Sequence, residues 1–282
     1  MRQASRRRAL SNLVVGLCGL AVVLALIPLA LIFIYVLKQG FSSLNWDFFT
    51  KMPKPVGEPG GGMANAMLGA LFLIALASVV AIPVGIIAGV YLTEYKGARF
   101  ASLVRFTADV LNGVPSIVIG IFAYGLAVLP VHRFSALAGG LALGFLMLPI
   151  ITRTTEELLN LVPSTLREGA LALGATRARA AFSVMVPAAL PGIITGILVA
   201  LARISGETAP LLFTAFSNRF FTTSLNQPIA SLPVQVFTYA IAPYDDWHRQ
   251  AWAGALVLVT VVFVFSMLAR IVTARLERMH KV

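Results

Sequence analysis

Charged residues and cysteine are both scarce in this chain of 282 residues. Only 12% of the residues are charged and 59% are hydrophobic, whereas soluble domains average roughly 25% and 45–50%. That composition excludes a water-soluble globular domain. The single cysteine, Cys18, also excludes a disulfide within the chain.

The sequence lacks the usual signatures of nucleotide and metal sites. It contains no Gly-Lys dipeptide, so it cannot hold the Walker-type loop that cradles phosphates. It has no His-Glu-x-x-His motif, and its histidines, His132, His248 and His280, lie far apart. We therefore predict a chain that is not an enzyme and that has no catalytic residue, metal or cofactor of its own.

Long apolar runs are what the chain has in abundance. A helix needs about 20 apolar residues to cross a bilayer. Six runs approach or exceed this length, at 13–37, 59–93, 110–131, 134–152, 180–216 and 250–269. They predict an all-α membrane protein with about six transmembrane helices. The apolar stretch 229–243 is shorter and contains Pro233, which favours a re-entrant or interfacial segment.

The basic residues indicate the orientation of these spans. Of the 22 Lys and Arg residues, 15 lie at the two termini and in alternate connections, six lie in the other connections, and Arg203 lies inside a run. Because Lys and Arg in short loops stay on the cytoplasmic side, both termini should face the cytoplasm. The net charge of +11 then reflects topology and contact with anionic lipid, not nucleic-acid binding.

The same pattern predicts the organisation of the chain. It consists of a basic cytoplasmic N-terminus (1–12), a first transmembrane helix (13–37), an external loop (38–63), a core (64–272) with a long cytoplasmic loop (153–190), and a cytoplasmic C-terminus (273–282).

The long cytoplasmic loop is itself patterned as a short helix. Pro163 ends the preceding helix, and Thr165 to Glu168 form a Thr-x-x-Glu capping box that predicts a helix start. Leu166, Ala170 and Leu173 share one face, and Gly174 can close the helix. A helix this short must pack on something. Periodicity leaves open whether it packs on this chain or in a groove of a partner.

The fifth run contains a pair of charges, Arg203 and Glu207. Their spacing of four residues predicts one helical face, either as an ion pair that locks packing or as a functional site. Gly206 and Pro210 should loosen the helix there. An arginine fork, with hydroxyl donors from Ser205 and Thr208, suits a tetrahedral oxyanion. Glu207 could accept a proton from hydrogen phosphate but would repel sulfate.

Two segments carry a resemblance to known families. Glu168-Gly169-Ala170, followed by Gly174 and by Pro187 and Pro191 at the next span, resembles the E-A-A loop of ABC-importer permeases, with Gly169 in place of the usual alanine. The segment 202–212 closely resembles the A-type permease subunits of Pst phosphate importers, and 112–120 is similar to the same family.

The resemblance implies a type I ABC-importer permease fold and specific residue roles. Coupling to an ATPase would involve Glu168, Gly169, Ala170, Leu173 and Gly174. The phosphate pathway would involve Arg203 and Glu207 with Ser205 and Thr208, and Ser116 and Asn112 would line it.

The implied partners are a second, homologous permease subunit, an ATPase homodimer that binds ATP and Mg²⁺, and an extracytoplasmic phosphate-binding protein. All would act at the plasma (inner) membrane of a prokaryote. Alternatives are a permease for another oxyanion (molybdate, sulfate or phosphonate) and an ion-coupled secondary transporter, although no internal repeat of the kind common in such transporters is visible.

Overall fold

The computed structural model describes the backbone of residues 2–55, 58 and 60–279. His280 and Lys281 lie outside these residues. All regular structure in the described part is helical. The helices are α1 (Arg2–Phe41), α2 (Trp46–Thr50), α3 (Ala64–Glu94), α4 (Arg99–Gly113), α5 (Ser116–Ala123), α6 (Ala136–Leu161), α7 (Ser164–Ala172), α8 (Arg177–Ala180), α9 (Val186–Ser205), α10 (Ala209–Thr214), α11 (Leu232–Ala240) and α12 (Asp245–Met279). Single π-helical turns, Tyr124–Val128 and Ala181–Met185, extend α5 and join α8 to α9.

Five helices are long and apolar enough to cross a membrane. They are Leu10–Phe41, Ala64–Glu94, Ala136–Leu161, Arg177–Ser205 and Asp245–Ala274. A sixth crossing is possible if α4 and the helix Ser116–Val128 count as one broken span. The prediction of an all-α membrane protein with about six spans is confirmed. Helix α11 has nine residues and is too short to span, as predicted for 229–243.

The third predicted span, 110–131, is wrong as a single helix. The chain turns by 111° between α4 and α5 at Val114–Pro115, which we call the elbow. Proline disfavours helical backbone in the residue before it, and Val114 is extended, with φ −72° and ψ 133°. Residues 110–113 therefore belong to α4, which presents Phe100, Leu103 and Phe106 as exposed apolar side chains.

Helices α3 and α6 form the centre of the core. Their contact is close because glycines of α3 face side chains of α6. A Cβ at Gly85 would lie 2.8 Å from Ile151, and a Cβ at Gly89 would lie 2.6 Å from Thr155. The buried cluster around this seam also includes Leu73, Met147 and Ile204. The glycines allow two long helices to pack tightly along their whole shared length.

Helix α1 contacts the rest of the chain mainly through its C-terminal end. Val36 is buried, the rings of Tyr35 and Trp252 are 5.0 Å apart, and a Cβ at Gly40 would lie 2.7 Å from Leu256 of α12. Earlier in the helix, Gly16 and Gly19 have open space around them. Most of α1 therefore presents apolar side chains outward.

Candidate functional site

The fifth span is interrupted at residues 206–208, which we call the break. Helix α9 ends at Ser205, Gly206 follows as its C-terminal cap, and α10 begins at Ala209. Pro210, in the first turn of α10, has no N–H to continue the α9 ladder, and glycine weakens a helix interior. The loosening predicted from Gly206 and Pro210 is present, but the continuous helix assumed for 180–216 is wrong.

The predicted shared face of Arg203 and Glu207 is wrong for the same reason, because Glu207 lies beyond the end of α9. Arg203 is exposed and Glu207 is half-buried. Neither side chain has a hydrogen-bond or ion-pair partner in the described part of the chain. The two charges therefore do not neutralise each other, and the guanidinium donors of Arg203 are available to a ligand.

The two hydroxyls near the break differ in availability. Ser205 is buried, and its Oγ donates to the carbonyl of Leu201 at 2.6 Å, so its hydroxyl hydrogen is engaged within α9. Thr208 is half-buried at the start of α10 and makes no side-chain capping bond there. Thr208 is thus the hydroxyl that can still donate at the break.

The third span meets the fifth next to the break. A Cβ at Gly120 in α5 would lie 2.6 Å from Cα of Pro210, so only glycine permits this approach. Ser116 opens α5 four residues before Gly120 and is half-buried, whereas Asn112 is exposed in the last turn of α4, across the elbow. The contact brings the start of α5 and the break into one region of the molecule.

The cytoplasmic loop contains the predicted short helix, α7, but with a different start. The helix begins at Ser164 after Pro163 and has no side-chain cap, so the capping box of Thr165 and Glu168 is wrong. Proline at the N-cap fixes the entry, which places Thr165 inside the first turn. At the other end Gly174 has φ +85°, a left-handed conformation that favours glycine, as predicted.

Helix α7 presents an open apolar surface. Leu173 is 91% exposed, Leu166 is 46% exposed, and a Cβ at Gly169 would meet nothing within 4 Å. Glu168 is exposed and Ala170 half-buried. Such a surface on a two-and-a-half-turn helix fits docking to another molecule better than packing on this chain.

An ion pair ties α7 to the membrane-spanning core. Arg167 Nη2 lies 2.6 Å from Oε2 of Glu94, the last residue of α3, and the Glu94 side chain is only 7% exposed. Sequence reasoning missed this pair because 73 residues separate its members.

Four further charges form a chain between α4 and α6 that was also missed. Glu156 accepts from Arg105 and Arg153, and Arg153 also pairs with Asp109. The signal available in the sequence was spacing, since Arg105 and Asp109 are one helical turn apart and so are Arg153 and Glu156. Spacing alone could not show which turn of α4 faces which turn of α6.

Comparison with known proteins agrees with this architecture. Residues 81–278 match the family described as "Binding-protein-dependent transport system inner membrane component". The chain belongs to that family. This permease is 42% identical over 266 residues to the phosphate transport system permease protein PstA of Haemophilus influenzae, with 94% of each chain covered.

Further relatives and solved structures extend the comparison. The permease is 44% identical to PstA of Xylella fastidiosa over 272 residues, covering 96% of this chain and 94% of the relative. The inward-facing MetNI methionine ABC transporter has a chain that superposes with a TM-score of 0.59 at 21% identity, covering 75% of this permease and 96% of that chain. This structural likeness shows a shared importer-permease fold.

Proposed function

We propose that this permease forms part of the path by which inorganic phosphate enters the cell through an ATP-driven importer. The observation that carries the proposal is the break in the fifth span, where the guanidinium of Arg203 has no partner among the described residues and Glu207 and Thr208 follow within five residues. The phosphate transport permeases that it resembles over nearly its full length support phosphate as the anion.

The residues at the break suit a protonated oxyanion. Arg203 can donate two parallel hydrogen bonds, Thr208 can donate one, and Glu207 can accept the proton of hydrogen phosphate. Ser116 and Asn112 would line the approach at the start of the third span. Because Glu207 is not paired with Arg203, it can accept from substrate at full strength.

The energy would come from partner subunits. We propose that α7 inserts into a groove of an ATPase homodimer, where ATP and Mg²⁺ are bound, through Glu168, Gly169, Ala170, Leu173 and Gly174. A second homologous permease would complete the pathway, and an extracytoplasmic binding protein would deliver phosphate. Closure of the ATPase pair would move α7 and switch the pathway between outward and inward access.

The test is uptake of labelled phosphate in cells that lack this gene and are complemented with variants. Replacing Arg203 with Ala should lower uptake by about tenfold or more, since hydrogen bonds to charged groups contribute roughly 1.5–3 kcal/mol. Arg133→Ala, which removes an exposed arginine outside the spans, is the control and should transport normally. Sulfate and molybdate serve as competitors, and ATP is depleted in parallel.

Each outcome bears on one part of the proposal. Uptake that persists without ATP would contradict the ATP-driven importer and favour a secondary transporter. Stronger competition by sulfate or molybdate than by unlabelled phosphate would change the substrate. Normal uptake by Arg203→Ala would remove Arg203 from the pathway.

A further inference from the structure

Helices α4 and α6 are joined at their polar faces by charges of alternating sign. Arg105 donates to Oε1 of Glu156 from Nε at 2.9 Å and from Nη2 at 2.6 Å. Arg153 donates to Oε2 of Glu156 from Nη1 at 2.5 Å, and its Nε lies 3.0 Å from Oδ1 of Asp109. We call these four residues the charge chain.

Glu156 is the centre of the charge chain. Its side chain is 5% exposed, whereas Arg105, Arg153 and Asp109 are 29%, 28% and 53% exposed. Removing the partners of a buried charge is strongly destabilising. Loss of the Glu156 charge would leave both arginines without the anion that they share, so most of the ion pairing between α6 and α4 depends on this residue.

The charge chain lies between α7 and the break along the connected helices. On one side, α6 ends at Leu161 and α7 begins at Ser164, so only two residues separate these helices. On the other side, α4 continues through the elbow into α5, whose Gly120 touches Pro210 beside the break. A displacement of α7 therefore has a continuous packed route to Arg203 and Glu207.

We propose that the charge chain transmits the movement of α7 to the anion pathway, and that Glu156 is the positioning residue on which this transmission depends. Displacement of the cytoplasmic end of α6 would carry α4 with it, and α4 would move α5 against the break. Glu156 contacts neither phosphate nor nucleotide in this role. The inference rests on the proposed function, because it assigns a task within the same transport cycle.

The experiment compares Glu156→Gln with wild type in the complete importer, reconstituted with its ATPase and loaded binding protein. Phosphate uptake and ATP hydrolysis are measured in the same vesicles. We expect the variant to assemble and hydrolyse ATP but to take up at least 5-fold less phosphate per ATP, within the roughly 5- to 150-fold range typical of coupling between sites. Glu157→Gln, an exposed neighbour with no described partner, is the matched control.

A double variant tests whether the residues act through each other. If Arg105 and Glu156 form one link, Arg105→Gln combined with Glu156→Gln should lose no more coupling than Glu156→Gln alone. Effects that multiply would contradict a single link. If the Glu156→Gln importer fails to assemble, Asp109→Asn is measured in its place. The Asp109 carboxylate is half-exposed, so its replacement should not prevent assembly. Its loss should also lower phosphate uptake per ATP.

The outcomes separate this inference from the proposed function. A wild-type importer that takes up no phosphate would overturn the proposed function. The inference alone is overturned if the wild type takes up phosphate and both Glu156→Gln and Asp109→Asn have the same ratio of phosphate uptake to ATP hydrolysis as the wild type. A fall in uptake and ATP hydrolysis in equal proportion would also overturn it, because a structural defect lowers both together.

Discussion

At the scale of single residues, Glu207 and Arg203 can each interact with a ligand separately because they do not form an ion pair with each other. Its carboxylate is half-buried and unpaired among the described residues. It can therefore accept a proton from one anion and repel another that has none. Under the proposed function, selectivity between phosphate and sulfate would be a property of Glu207, whereas affinity for any oxyanion would belong to Arg203.

Glu207→Gln should weaken the rejection of sulfate. The amide has no charge, so the repulsion disappears, and like-charge contacts cost several kcal/mol, which implies that the sulfate concentration needed to halve phosphate uptake should fall by about tenfold or more. Competition curves in complemented cells measure this, with Glu157→Gln as the control. An unchanged sulfate curve would place the discrimination in another residue or another subunit.

Gly120 is the residue that lets the third span touch the fifth. Gly120→Ala should lower the unfolding temperature in detergent, because its Cβ would meet backbone at Pro210 and overpacking costs roughly 1–3 kcal/mol. Gly125→Ala is the matched control, since a Cβ there meets nothing within 4 Å. Equal stability of the two variants would mean that α5 and α10 separate easily.

At the scale of helices, α7 is joined to the core by an ion pair and presents an open face. Arg167 fixes it to Glu94, while Leu173 points away from the described chain with 91% of its surface exposed. The exposed leucines Leu166 and Leu173 are compatible with the proposed docking of this face into a groove of the ATPase. The helix therefore combines an attachment to the core with a free face.

Leu173→Ser should weaken the proposed attachment of the ATPase without changing the stability of the permease. A buried leucine contributes roughly 1.5–3 kcal/mol, so co-purification of the ATPase subunit should fall by about tenfold or more. Leu161→Ser is the control, because Leu161 is 78% exposed at the end of α6 and outside α7. Equal recovery of the ATPase with both variants would argue against docking through Leu173.

The helices themselves could largely be predicted from sequence, because span length and breakers such as Pro163 and Gly174 act locally. What could not be predicted was where helices change direction or stop inside an apolar run. Hydropathy gives no sign of the 111° turn at Pro115, and the spacing of Arg203 and Glu207 implies one face only if the helix is unbroken. Similarly, Glu156 and Arg105 are 51 residues apart, so tertiary packing alone brings them together.

At the scale of the whole molecule, the distribution of basic residues predicts an orientation that labelling can test. In a Cys18→Ser background, Glu58→Cys should react with a membrane-impermeant thiol reagent added outside intact cells, because the positive-inside rule places its loop outside. Arg177→Cys should react only after the membrane is opened. Both positions are exposed. The reverse pattern would invert the topology and place α7 outside, where no ATPase could reach it.

The elbow between α4 and α5 would convert a rotation of α4 about its own axis into a sideways displacement of the helix that follows. If the two helices were collinear, rotation of α4 about its own axis would leave the far end of α5 in place. With a turn of 111°, the same rotation swings the helix Ser116–Val128 sideways. That helix is about 20 Å long, so a rotation of roughly 10° moves its far end by about 3 Å. Under the proposed function, a small rotation of α4 would therefore be enough to change the width of the anion pathway next to the break.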